Sequence, residues 1–264
     1  MSLKFCSFAS GSKGNSYLVK TRETAVIVDA GISGKKILHG LEQSGTDIAD
    51  VKGVLVTHEH GDHAKSIRIL MKKATNATLF CNIGTWQKIK DLVPEERQIT
   101  IITGEAFRID DLEIKSFEIH HDAAEPVGYT FCKSDKTLSI VTDTGHICEN
   151  IFDEIKDADL LVLEANHEPR VLEMCSYPYS VKRRILGDFG HLSNEAAGNC
   201  LCDLVEYDSK NRRVLLAHLS QENNSPDMAE IVVKNTMAER DLSMPMQLHV
   251  EVIVQDEVSQ VFEV

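Results

Sequence analysis

Short apolar runs in this chain end repeatedly on an acid or a histidine. Asp29 closes "AVIVDAG", His58 "GVLVTH", His121 "FEIHH", Asp143 "SIVTDTG", Glu164 "LLVLEA" and His218 "VLLAH". Brief β-branched runs bounded by Gly, Asp or Asn read as strands, and "ATLFC", "QITII" and "VGYTF" join these six. Helical periodicity falls between or after many of them, over residues 35–43, 64–73, 85–92, 180–186, 193–206 and 227–240. The pattern demands a mixed α/β fold in which loops at one edge of the sheets carry the chemistry and the strands hold it rigid. Residues 247–264 alternate in polarity, which predicts a closing hairpin.

The 264 residues show no low-complexity tract, repeat or Pro/Gly linker, so one globular domain spanning 1–264 is expected. A formal net charge of -13 excludes a general attraction to phosphate backbones or anionic lipid, and any nucleic-acid contact must be local. No apolar run is long enough for a membrane span, and "MSLKFCSFAS" lacks the features of a signal peptide. A cytoplasmic protein is expected. The 7 cysteines form no CxxC pair and read as reduced thiols. Cys200 and Cys202 lie two apart in a helical stretch, where they point away from one another.

The densest chemistry is in "VTHEHGDHAKSI", where His58, His60, Asp62 and His63 surround Gly61. A helical H-E-x-x-H reading fails, because the fifth position is Asp62 and a glycine interrupts the run after a strand. A turn at a strand end suits the stretch better, with Gly61 expected to supply a backbone conformation closed to other residues. Imidazoles and a carboxylate at this spacing suit Zn, Mn or Fe, yet one loop cannot complete two coordination spheres. Further ligands must come from later strand ends.

The H-x-H-x-D-H loop, preceded by an Asp-ended strand and followed by single, widely spaced His, Asp and His residues, resembles the metallo-β-lactamase fold superfamily. That resemblance implies a four-layer αβ/βα sandwich built from two similar β/α halves. It implies two divalent ions, with His58, His60 and His121 on one, Asp62, His63 and His218 on the other, and Asp143 between them. Asp29 matches a buried carboxylate supporting the ligand loop, and Glu164 a residue orienting a site histidine. Strand alternation points His121 inward with Phe117 and Ile119, leaving His120 as second choice. The resemblance implies catalytic roles for Asp62 and His191.

The fold alone does not set the reaction. "GDFGHLSNEAAGNCLCDLV" followed by "RRVLLAHLS" resembles the corresponding stretch of RNase Z and related phosphodiesterases, in which the residue at the place of His191 can protonate a leaving oxygen. Only 21 residues separate His121 from Asp143, too few for the arm with which RNase Z holds tRNA, and the 47 between Asp143 and His191 are too few for the added β-CASP domain. What remains resembles the compact YycJ (WalJ) family, whose members also begin with a stretch like "SGSKGNSYLV". The resemblance implies a 5′-to-3′ exonuclease acting on DNA, with RNA a further substrate to consider. Local substrate contacts would come from Ser12 and Lys13, from Lys182, Arg183 and Arg184, and from Tyr177 and Tyr179. The alternatives are a hydrolase acting on a cyclic phosphodiester, lactone or thioester, as in glyoxalase II and lactonases, and a metal-binding scaffold without catalysis. His39, His146, His167 and His249 receive no role.

Overall fold

The computed structural model describes residues 2–242 and 248–264. Two seven-stranded sheets face one another. The first holds β1 (Lys4–Ala9), β2 (Ser16–Lys20), β3 (Ala25–Val28), β4 (Val51–Leu55), β5 (Thr78–Cys81) and β6 (Gln98–Thr100) in chain order. The second holds β7 (Ala106–Ile109), β8 (Leu112–Glu118), β9 (Val127–Lys133), β10 (Lys136–Val141), β11 (Leu160–Glu164), β12 (Arg212–Ala217) and β13 (Leu248–Val252). Each begins as an antiparallel meander and turns parallel after its third or fourth strand, at β3 and at β10. Parallel pairing needs crossovers, and helices supply most of them.

The outer layers are α1 (Gly34–Gln43), α2 (Gly61–Ala64), α3 (Ile67–Lys73) and α4 (Ile83–Ile89) on the first sheet. On the second are α5 (Glu149–Ile155), α6 (Pro169–Met174), α7 (Tyr179–Ile185), α8 (Asn194–Tyr207) and α9 (Pro226–Glu239). Side-chain alternation explains the layering. In β3, Val26 and Val28 enter the core between the sheets while Ala25 and Ile27 pack beneath the first helices. In β11, Leu160 and Val162 enter the same central core while Leu161 and Leu163 meet α5 and α8. Strands buried on both faces read as continuous apolar runs, which is why the sequence marks them so clearly. The result is the expected four-layer αβ/βα sandwich.

The expected C-terminal hairpin does not form. β13 extends the second sheet parallel to β12, whereas β14 (Phe262–Glu263) pairs antiparallel with β1 in the first. Phe262 enters the central core beside Phe5, so burial carries the chain from one sheet to the other. Gln247, at the start of the expected hairpin, lies outside the described residues. The helix expected over 64–73 is split, with α2 ending before Lys65 and α3 starting at Ile67. Strands β1, β2 and β7 and helices α5 and α6 fall outside the runs that the sequence singles out. Both helices are under two turns long, too short to show a period. No helix among the described residues is long and apolar enough to cross a membrane.

Candidate metal centre

The strand ends converge between the two sheets. Asp29 follows β3, Asp143 follows β10 and His218 follows β12, and all three take left-handed backbone conformations, with φ of 62°, 62° and 55°. This conformation is disfavoured by about 1–2 kcal/mol for a residue with a Cβ. Here it breaks each strand's pleat and turns the side chain into the centre. Gly61, in contrast, is not among the left-handed residues. It opens α2 in open space, where a Cβ would meet nothing, so the freedom expected of it is not used.

One ligand-type atom each from His58, His60 and His121 lies within 4.8 Å of the others, as do those of Asp62, His63 and His218, and those of His58, His63 and Asp143. His121 therefore joins the group, while His120 turns away to stack on His146. Buried carboxylates fix the imidazoles from behind. Asp29 accepts from His63 Nδ1 at 2.7 Å, from the Thr57 hydroxyl at 2.8 Å and from the Thr57 amide at 2.9 Å. The Thr57 Oγ1 also lies 3.0 Å from His58 Nδ1. Glu164 Oε1 accepts from His218 Nδ1 and from His191 Nδ1, both at 2.8 Å, while its Oε2 accepts from the amides of Thr144 and Leu192. His121 Nδ1 donates to the Gly190 carbonyl at 3.1 Å. Such contacts set the tautomer and leave each Nε2 to face inward.

His58 Nε2, His218 Nε2 and Asp143 Oδ2 are buried without a hydrogen-bond partner among the described residues. An unsatisfied buried polar group costs about 1–3 kcal/mol. Three of them in one imidazole and carboxylate cluster fit divalent cations. Burial pushes His58 well below the usual histidine pKa, helped by the charge on His63, and burial also lowers His121. Burial opposes charge on His63 and His218 too, but Asp143 and Asp29 hold His63 well above its usual range, and Asp143 with Glu164 lifts His218 to about 9. Glu164, against its burial, is held at about 2 by His191 and His218. Two imidazoles thus offer free lone pairs, and two carry protons that a cation would displace.

A cavity of about 540 Å³ adjoins the cluster, lined by His191, His218 and Asp62 together with Ser12, Lys13, Tyr177 and Arg184. Lys182 and Arg183 do not line it. The Lys182 ammonium donates to the carbonyls of Glu173 and Cys175, closing the end of α6, and Arg183 is exposed. Tyr179 is also exposed, outside the cavity. The residues that the sequence reading passed over are Thr57, Asn15, Asn166 and Lys65. Asn15 places its side-chain amide 3.0 Å from His63 Nε2, Asn166 donates to the His218 carbonyl at 2.8 Å, and Lys65 stands in the cavity wall. Thr57 and Lys65, beside the histidine turn, and Asn15, within "SGSKGNSYLV", had a local signal; Asn166 had none.

A model of the β-lactamase superfamily domain matches residues 24–219. The exodeoxyribonuclease YycJ of Bacillus anthracis is 38% identical over 91% of each chain. The exodeoxyribonuclease WalJ of Streptococcus pneumoniae is 34% identical over 94% of this chain and 93% of its own. The metallo-β-lactamase fold protein YhfI of Bacillus subtilis superposes with a TM-score of 0.75 over 100% of both chains at 15% identity, a likeness of fold. The chain therefore belongs to the β-lactamase superfamily and, within it, to the family of YycJ and WalJ.

Proposed function

We propose that this metal-dependent hydrolase is a cytoplasmic nuclease that removes nucleotides from a DNA end in the 5′-to-3′ direction. The observation that carries the reading is His191, held by Glu164 at the rim of the ligand cluster and facing the cavity. A thiolate leaves without a proton, so a thioesterase has little use for a positioned acid, whereas a departing sugar oxygen needs one. The names of the curated relatives support DNA as substrate.

His58, His60 and His121 would hold one divalent ion, Asp62, His63 and His218 a second, and Asp143 would reach both. Zn, Mn and Fe all suit these donors. Ions bound there supply charge stabilisation and a nucleophile at neutral pH. Glu164 fixes the proton of His191 on Nδ1 and orients the ring, so that Nε2 is the atom placed to deliver a proton to the leaving oxygen. Lys13 and Lys65 give the cavity local positive charge on a chain of net charge -13, Arg184 lines it while pairing with Asp122 at 3.4 Å, and the Ser12 hydroxyl adds a donor for phosphate.

The test loads purified protein with Zn or Mn and offers it 5′-phosphorylated single-stranded and duplex DNA, RNA, a thioester and a lactone. Hydrolysis confined to the thioester and lactone refutes the nuclease reading. A His191→Ala variant should lose about 100-fold or more in DNA turnover while keeping its metal; full activity would remove His191 from the chemistry.

A further inference from the structure

Resting on the nuclease reading, we propose that Phe189, backed by His120 and His146, is a stacking site for an unpaired base of the substrate. The imidazoles of His120 and His146 lie parallel, with centroids 4.3 Å apart and planes 10° apart. Phe189 stands edge-on to His120 at 6.1 Å and is 59% exposed. A large aromatic ring in water on an unbraced loop needs no explanation, but the backbone that carries this one is pinned by hydrogen bonds on both sides.

The turn from Gly187 to His191 that carries Phe189 is closed by the Gly190 amide on the Gly187 carbonyl and the His191 amide on the Ile185 carbonyl. His146 Nδ1 donates to the Asp188 carbonyl at 3.2 Å, and His121 Nδ1 to that of Gly190 at 3.1 Å. A Cβ on Gly190 would fall 2.3 Å from the carbonyl oxygens of Arg184 and Ile185, and one on Gly145 only 2.2 Å from that of Asp188. The backbones on both sides meet at glycines because no side chain fits. One turn therefore aims His191 inward, braces His121 and projects Phe189 outward, two residues from the proposed acid.

A nucleobase is the occupant that this geometry suits. It presents an apolar face to the phenyl ring, and Phe189 lies two residues along the chain from His191, which lines the cavity. Stacking on an aromatic side chain tolerates any base but requires that base to be unpaired. The site thus favours single-stranded or frayed ends over blunt duplex.

The experiment measures cleavage of a 5′-phosphorylated single strand by the metal-loaded enzyme, beside the same strand with abasic sites at its terminal nucleotides. Phe189→Ala should raise KM at least about fivefold on the unmodified strand, leave kcat within twofold, and make no difference on the abasic strand. Phe189→Trp should restore KM, and its emission above the constant background of Trp86 should be quenched by the unmodified strand and not by the abasic one. An unchanged KM for Phe189→Ala, an equal penalty on both strands, or no selective quenching overturns the proposal. If the wild-type enzyme cleaves no DNA at all, the nuclease reading has failed and this site falls with it.

Discussion

Glu164→Gln probes the hub on which two site histidines depend. The side chain is fully buried and accepts four hydrogen bonds, two imidazole donors on Oε1 and two backbone amides on Oε2. A glutamine has the same shape but turns one oxygen into an amide donor. Whichever way it lies, two buried donors then face a third. At about 1–3 kcal/mol for each unsatisfied donor, the variant should lose roughly 2–6 kcal/mol of stability. Urea unfolding of the metal-free protein at pH 7, with an unchanged slope, measures this directly. Metal affinity, by competition with a chromophoric chelator, should fall about 10–100-fold because His218 is no longer held in orientation. The pH dependence gives a second reading. Glu164 titrates at about 2 in the folded protein against an ordinary 4.5, so its contribution is complete above pH 4.5 and disappears as pH falls towards 2. The gap between wild type and variant should close over that interval. A stability loss under about 0.5 kcal/mol together with unchanged metal affinity would show that Glu164 does not organise the site.

His218 titrates at about 9 instead of 6.5, so metal-free protein should lose stability as pH rises from 6.5 through 9. Metal affinity should rise over the same interval, and calorimetry in buffers of different ionisation enthalpy should register protons released on metal uptake; uptake without release at pH 7 contradicts the assignment. Asp29→Asn, which alters the acceptor behind His63, should weaken metal binding about 10–100-fold, measured by chelator competition with circular dichroism to verify folding. Far from the site, Asp111 accepts from Thr21 and Thr24 and pairs with Lys133, which together hold it at about 2 against desolvation. Asp111→Ala should cost about 1–3 kcal/mol in a thermal or urea melt with DNA cleavage unaffected, and the wild-type contribution should vanish as pH falls from 3.8 through 2.

The sheets and the main helices are legible in the sequence because strands buried on both faces cannot be written without continuous apolar runs. The titratable residues are legible for a related reason, since an acid or histidine closing such a run lies at a sheet edge whatever the topology. Alternation favours His121 over His120 in the sequence; in the structure β8 ends at Glu118, before either residue, and the loop beyond it brings His121 to His58 and His60. The C-terminal segment shows where that logic stops. Alternation between Leu248 and Val264 says that two strands form but not which partners they take, and burial of Phe262 against Phe5 sends the second strand to the other sheet.

The basic stretch before His191 is a similar case. Lys182, Arg183 and Arg184 are equivalent as sequence, but helix geometry sends Lys182 to carbonyl groups, Arg183 to solvent and Arg184 to the cavity. The left-handed turns at Asp29, Asp143 and His218 left no local trace, because these residues adopt a conformation that only surrounding contacts can stabilise. The sequence by itself determined a mixed α/β fold, the strand ends that carry the chemistry and the donor types gathered there, since these follow from apolar runs closed by titratable residues, while the four layers were implied by family resemblance. Tertiary structure alone decided which imidazole leans on which carboxylate, that one buried oxygen of Glu164 serves both His191 and His218, and that Phe189 stands outside the turn that aims His191 inward. Those relations join residues far apart in the chain, and only packing brings them to hydrogen-bonding distance.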